Sequence, residues 1–165
     1  MLILDKCVAM IRQFLFNVDW GQLDYLIIDT PPGTSDEHIS LAESLAPYHP
    51  IAIMVTTPQL IALADVEREI SFCNQVGIPI AGVIENMSGY LCPTCAECTK
   101  VFSSEGGRLL AEKHGLPFLG KLPIYPPLMK LLEDCNALVL RDFPVVAPEM
   151  HHLMLNICKK LALCS

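Results

Sequence analysis

The sequence predicts an α/β fold, a mostly parallel sheet flanked by helices with a Cys-x-x-Cys loop inserted into it. Short apolar runs recur at Tyr25-Leu26-Ile27-Ile28, Ile51-Ala52-Ile53-Met54-Val55 and Ile80-Ala81-Gly82-Val83-Ile84, with Pro117-Phe118-Leu119-Gly120 as a weaker fourth. Continuous apolar runs of this length read as strands buried on both faces. Helical stretches lie between them, and strands alternating with helices imply right-handed crossovers, parallel pairing and a ligand site at the strand carboxyl ends. The third observation is Cys92-Pro93-Thr94-Cys95-Ala96-Glu97-Cys98, three thiols in seven residues. A Cys-x-x-Cys turn brings two thiolates to one side of a loop, which suits a metal or one side of a metal–sulfur cluster.

Taken in order, Val8, Ile11, Leu15 and Val18 have helical spacing, and Gly21 lies where that helix would stop. The Tyr25–Ile28 strand follows and ends at Asp29. After the second strand, Leu63, Val66, Ile70 and Cys73 form one helical stripe. The third strand ends at Glu85-Asn86 and leads into the cysteine loop. Pro123-Ile124-Tyr125-Pro126-Pro127 reads as a rigid loop. Met150, Leu153, Met154, Ile157 and Leu161 form the apolar stripe of a last helix, with its methionines facing the core. Asp29, Thr56-Thr57 and Glu85-Asn86 all fall at predicted strand carboxyl ends. No repeat, low-complexity tract or linker divides residues 1–165, which read as one domain.

Composition narrows the function classes. Eight cysteines in 165 residues fall short of a disulfide scaffold, and Cys7, Cys73, Cys135, Cys158 and Cys164 read as core or surface thiols. Asp5 and Lys6 interrupt the amino terminus too early for a secretory segment, and no uncharged apolar run reaches spanning length. The expectation is a soluble, cytoplasmic protein without a membrane. Net charge is -7, which argues against nucleic acid. Only 18% of residues are charged, against about a quarter in ordinary globular domains, so part of the surface is expected to lie under a partner.

Asp29-Thr30-Pro31-Pro32-Gly33-Thr34-Ser35-Asp36 follows a predicted strand, where Asp29 can hold magnesium through water while the next residues approach a terminal phosphate. The prolines stiffen this turn and Gly33 lets its backbone come close to a ligand. A plain strand-to-helix turn capped by Ser35 or Asp36 would account for the same residues. No Gly-x-x-x-x-Gly-Lys-Ser/Thr loop is present. Gly115-Leu116-Pro117-Phe118-Leu119-Gly120-Lys121-Leu122 has the spacing, but Leu122 offers magnesium no hydroxyl, and the segment reads as a loop entering a strand. The five histidines suit surface or capping roles, and no nucleophile–base signature points to a catalytic residue.

Tyr25 to His38, Val55-Thr56-Thr57-Pro58-Gln59 and Glu85 to Cys95 together resemble the Mrp family of deviant-Walker P-loop ATPases. Cys98-Thr99-Lys100-Val101-Phe102-Ser103 is most similar to its eukaryotic cytosolic members. The resemblance covers nearly the whole chain and weakens after about Asp134. It implies a partial P-loop NTPase-like fold and a scaffold that assembles a [4Fe-4S] cluster and transfers it to cytosolic and nuclear apoproteins. The family's paired cluster cysteines fall on Cys92 and Cys95, with Cys98 an additional candidate ligand. Its magnesium-side carboxylate falls on Asp29, its phosphate-sensing turn on Thr30 to Asp36 including Gly33, and its adenine-reading amide on Asn86.

The thiol count bears on assembly. A ferredoxin-like run would place a fourth cysteine at Phe102, so the loop alone cannot close a four-thiolate site, and another chain or a distant residue must complete it. Two chains about a two-fold axis, or this chain with a related nucleotide-binding scaffold subunit, would supply four. Family members carry a Gly-rich phosphate loop ahead of the Asp-Thr-Pro-Pro segment, and this sequence has none. It therefore resembles a carboxyl-terminal portion of a member, in which the cluster ligands are kept and the ATP and magnesium site is incomplete. A zinc knuckle on the same cysteines and an inactive partner-binding fragment are the other readings open to the sequence.

Overall fold

Residues 2–102, 105–134 and 143–164 are described by a computed structural model. Helix α1 spans Leu2–Asn17 and α2 spans Asp36–Leu45, which runs into a short 3-10 turn at Ala46–Tyr48. Strand β1 (Ala52–Thr56), helix α3 (Leu60–Val76) and strand β2 (Ile80–Leu91) form a parallel β–α–β unit. Strand β3 (Cys98–Thr99) turns back antiparallel on the end of β2. Helix α4 (Gly106–Lys113) leads to β4 (Phe118–Ile124), which pairs parallel with β2. Helices α5 (Pro126–Glu133) and α6 (Ala147–Cys164) complete the described elements.

Strand β2 is the centre of the sheet, with β1 on one side and β4 on the other. Successive strand residues point to opposite faces, and here both faces are covered. On one, Met54 and Val83 pack with Val66, Ile70 and Cys73 of α3 and with Leu110 and Ala111 of α4. On the other, Ile53, Ile84, Leu119 and Leu122 pack with Leu153 and Ile157 of α6. The predicted stripe on α3 is this buried face. The helix stops at Gly77, whose φ of 74° takes the left-handed cap conformation that costs glycine little. At the far end of β2, Leu91 joins Tyr125, Phe143 and Val146 in a smaller cluster.

Four expectations need correction. Tyr25–Ile28 is exposed coil rather than a doubly buried strand, with Ile27 91% exposed. A strand exists only with a ladder partner, and no strand among the described residues pairs with this segment. Strand β2 runs on to Leu91, so Glu85 and Asn86 lie within it rather than at its end, because β4 keeps pairing past the end of β1. The Pro123–Pro127 segment contributes to β4 as far as Ile124 and starts α5 at Pro126; a proline at the first helical position needs no N–H partner. Met154 is exposed, the core-facing turn of α6 being taken by Leu153 and Ile157. Gly115 to Leu122 is the loop-to-strand entry the sequence suggested. Cys73 is buried and Cys158 exposed. Ser103 and Cys135 lie outside the described residues, as do the side chains of Cys7 and Cys164.

Candidate functional site

The cysteine loop is the connection of a small hairpin between β2 and β3. Leu91 pairs with Cys98 and Tyr90 with Thr99, so the strands fix both ends of the loop. Inside it the Cys92 N–H donates to the Glu97 carbonyl at 3.0 Å and the Ala96 N–H to the Cys92 carbonyl at 2.9 Å. Ala96 has φ 57°, the left-handed step that closes the turn. Leu91 anchors the base of the hairpin in the Tyr125–Phe143–Val146 cluster while the loop itself remains exposed.

The turn points donors at one sulfur. Hydrogen bonds from the Cys95 backbone N–H, then from that of Thr94, with a further contribution from the Cys95 thiol, hold the Cys92 thiol below its ordinary pKa. Donors that favour a thiolate also favour a metal–thiolate bond, since the thiolate is the ligand. Cys92 and Cys95 are therefore brought together. Cys98 stands on the facing strand, with its Sγ 2.9 Å from the place a Cβ on Gly89 would occupy, so the absence of a side chain at Gly89 makes room for that thiol. Among the described residues no three His, Cys, Asp or Glu side chains converge as a metal-binding group. The chain presents a pair of thiols.

The predicted nucleotide-side residues are more dispersed. Asp29 is exposed in the coil after Ile28. Gly33, with φ 93°, donates its N–H to Glu69 Oε1 of α3 at 2.9 Å. Asn86 is half-buried in β2 opposite Leu122, and its side-chain oxygen accepts from the Met87 N–H at 2.9 Å. No hydrogen bond joins Asp29, Gly33 and Asn86 among the described residues. Ser35 is the N-cap of α2, so the capping role weighed for this turn is present. Asn86 lies in β2 and Cys92 directly follows its last residue, so the two lie at most roughly 20 Å apart at the usual strand rise.

Two contributors, Glu85 and Glu69, escaped the sequence reading, and His38 takes the capping role expected of it. Glu85 is 2% exposed, and its Oε2 accepts the Gly107 N–H at 2.7 Å, one of the donors left over at the start of α4. A carboxylate directly after the apolar run Ile80–Ile84 was the available signal. His38 folds back over the Asp29–Asp36 turn, with Nε2 3.1 Å from the Pro31 carbonyl and Nδ1 3.2 Å from the Ser35 nitrogen. Glu69 had no signal, since its partner is 36 residues away in sequence.

Comparison with known proteins identifies the family. The description NUBPL iron-transfer P-loop NTPase, of the ParA group, matches residues 5–162. The chain is 63% identical over 121 residues to a protein of Dictyostelium discoideum named cytosolic Fe-S cluster assembly factor NUBP2 homolog, covering 73% of this chain and 46% of that one. It is 54% identical over 137 residues to the rat factor NUBP2, covering 82% and 50% respectively. It is 58% identical over 128 residues to a Mycosarcoma maydis protein named cytosolic Fe-S cluster assembly factor CFD1, covering 78% and 36%. A nucleotide-binding protein of Archaeoglobus fulgidus, solved in complex with ADP, superposes with a TM-score of 0.65 at 40% identity, covering 75% of this chain and 50% of that chain. The chain thus spans about half the length, or less, of these relatives. No helix among the described residues is long and apolar enough to cross a membrane.

Proposed function

The chain belongs to the NUBPL iron-transfer P-loop NTPase family, and from that premise we propose that it serves iron–sulfur cluster assembly by holding a [4Fe-4S] cluster between two subunits on Cys92 and Cys95. The observation that carries this reading is the turn at the end of β2, in which backbone N–H groups favour the Cys92 thiolate and Cys95 lies beside it. Two thiolates are half of a four-thiolate cluster site. A second subunit placed about a two-fold axis adds the other half. The names of these three relatives, each a cytosolic Fe-S cluster assembly factor, support the part of this reading that concerns iron–sulfur cluster assembly.

On this reading the cluster is cargo rather than a resident cofactor, since an exposed loop lets a recipient approach it. The recipients are cytosolic and nuclear apoproteins, and the protein works in the cytoplasm. Its partner is a second copy or a related nucleotide-binding scaffold subunit. Asp29 serves magnesium, Gly33 a terminal phosphate and Asn86 the adenine of ATP, in an assembly that also supplies a phosphate cradle. The residues present fit this only in part: the Gly33 N–H already has an anionic acceptor in Glu69, and Asn86 already accepts from Met87. Within residues 1–165 no phosphate loop neutralises the transferring group, so phosphate release from magnesium ATP by this chain alone should sit at background.

Anaerobic reconstitution with iron and sulfide, followed by absorbance, iron counting and sedimentation, tests the cluster. Wild-type chain should carry about two iron atoms per subunit in a dimer, the share expected of a bridged [4Fe-4S] cluster. Cys92→Ala or Cys95→Ala should lose both the iron and the dimer, and Cys98→Ala should lose less. A Cys92→Ala, Cys95→Ala double variant that keeps full iron and sulfide would sink the assignment. Tight zinc binding by the same pair, with no iron retained, would favour the structural knuckle instead.

A further inference from the structure

We propose that Glu69 is a positioning residue that latches the Pro31–Ser35 turn onto α3 and holds the Gly33 N–H against any competing anion. The turn and the first turn of α2 behind it each meet α3, at points one helical turn apart. Gly33 donates its N–H to Glu69 Oε1 at 2.9 Å, and the His38 ring meets Phe72 edge-on at 6.2 Å between centroids. His38 also braces the turn from within, with Nε2 against the Pro31 carbonyl at 3.1 Å and Nδ1 against the Ser35 nitrogen and Oγ at 3.2 and 3.1 Å. With the Nε2–H tautomer, one ring donates to Pro31 and accepts from Ser35, so a single side chain holds both ends of the turn.

The glycine at position 33 follows from this latch. A Cβ built there would meet nothing within 4 Å, so crowding is not what requires glycine. Its φ of 93° is the requirement, a conformation that aims the N–H at α3 and that other residues adopt only with strain. The N–H aimed in this way is satisfied by a half-buried carboxylate. A donor that serves one anion can serve another, and a phosphate oxygen reaching Gly33 must displace Glu69. Displacement removes the turn's own tie to α3, the helix that begins four residues after β1 ends at Thr56, and leaves the His38–Phe72 contact made from α2. The turn therefore has two arrangements: latched on Glu69, or released and facing an anion.

This inference rests on the phosphate-facing role assigned above to Gly33, and the test separates the two. Amide exchange at Gly33 is followed by NMR in the full chain, wild type and with Glu69→Ala or Glu69→Gln, and each protein is titrated with magnesium pyrophosphate. Glu69→Ala should raise exchange at Gly33 about tenfold or more with no comparable change at core amides of β2. Pyrophosphate should bind that variant several-fold more tightly, because the competing carboxylate no longer has to be displaced. Glu69→Gln keeps an acceptor oxygen, so its exchange should stay near wild type, an outcome a purely structural loss would not produce. Unchanged exchange in Glu69→Ala overturns the latch. Equal pyrophosphate affinity in wild type and Glu69→Ala overturns the competition. Faster exchange without pyrophosphate binding to any of the three proteins overturns the phosphate-facing reading of Gly33, and the competition with it.

Discussion

Ile80-Ala81-Gly82-Val83-Ile84 and Tyr25-Leu26-Ile27-Ile28 are apolar runs of similar make-up, yet Val83 is 0% exposed in the first and Ile27 91% exposed in the second. The first lies between two parallel neighbours with helices over both faces. The second has no ladder partner among the described residues, and Phe14, Trp20 and Leu23 before it are also exposed. Apolar composition creates the demand for burial, and only a neighbouring element can meet it. The exposed stretch is the kind of surface that marks an interaction face or invites aggregation.

Truncating an isoleucine in the core that covers β2 and one in the exposed run should give the largest contrast. Ile70→Ala, at a side chain 1% exposed, should lower unfolding free energy by about 2–5 kcal/mol. Ile27→Ala should stay within about 0.5 kcal/mol, the usual range for surface changes. Urea unfolding of both variants would measure the difference, and similar losses at the two sites would break the comparison. A smaller effect is expected at Glu85. Removing its buried carboxylate leaves the Gly107 N–H without its acceptor, so Glu85→Ala should cost about 1–3 kcal/mol in the same experiment.

Thiol chemistry sharpens the contrast between a covered and an open region. The Cys73 thiol is pushed up by burial first and by the charge of Glu69 second, whereas the Cys92 thiol is held down by its N–H donors. In the apo protein, iodoacetamide should therefore modify Cys92 at least about tenfold faster than Cys73 at neutral pH. The Cys92 rate should level off with rising pH sooner than that of an unperturbed thiol, which mass spectrometry of timed samples would reveal. Faster modification of Cys73 would mean that the core cluster opens more readily than its packing implies.

The smallest effect belongs to the surface. Glu67 of α3 accepts from Lys113 Nζ at 2.5 Å and lies 3.1 Å from His114 Nε2 at the end of α4. Its carboxyl is lowered, first by the Lys113 hydrogen bond and then, against the opposing cost of burial, by His114. A lowered carboxyl stabilises the fold above its unfolded pKa of about 4.3, and that stabilisation is lost as pH falls through the folded value. Glu67→Gln should accordingly flatten the acid side of the thermal stability curve slightly, with the difference shrinking in high salt. A salt-independent loss would point to packing rather than charge.

Much of the architecture was legible along the chain because its signals are local. The stripe Leu63, Val66, Ile70 and Cys73 needs only the period of a helix, and three of its four residues are buried as that period requires. The Cys92–Cys95 pair needs only the geometry of a tight turn, so spacing announced it before any fold was known. Tyr25–Ile28 was misread because an apolar run records a demand for burial without recording whether a neighbour exists. Asn86 was misplaced at a strand end because the pairing of β4, more than 30 residues later, decides how far β2 extends.

By itself, then, the sequence determined the helical period of α3, the Cys92–Cys95 spacing and the absence of a fourth cysteine at Phe102, all properties of residues near one another along the chain. Tertiary structure alone decided which apolar runs became strands, which donor Glu85 satisfies, and that Glu69 grips Gly33 from 36 residues away. Those outcomes depend on contacts between distant segments, whose geometry is set by the packing of whole elements and leaves no pattern in either segment alone.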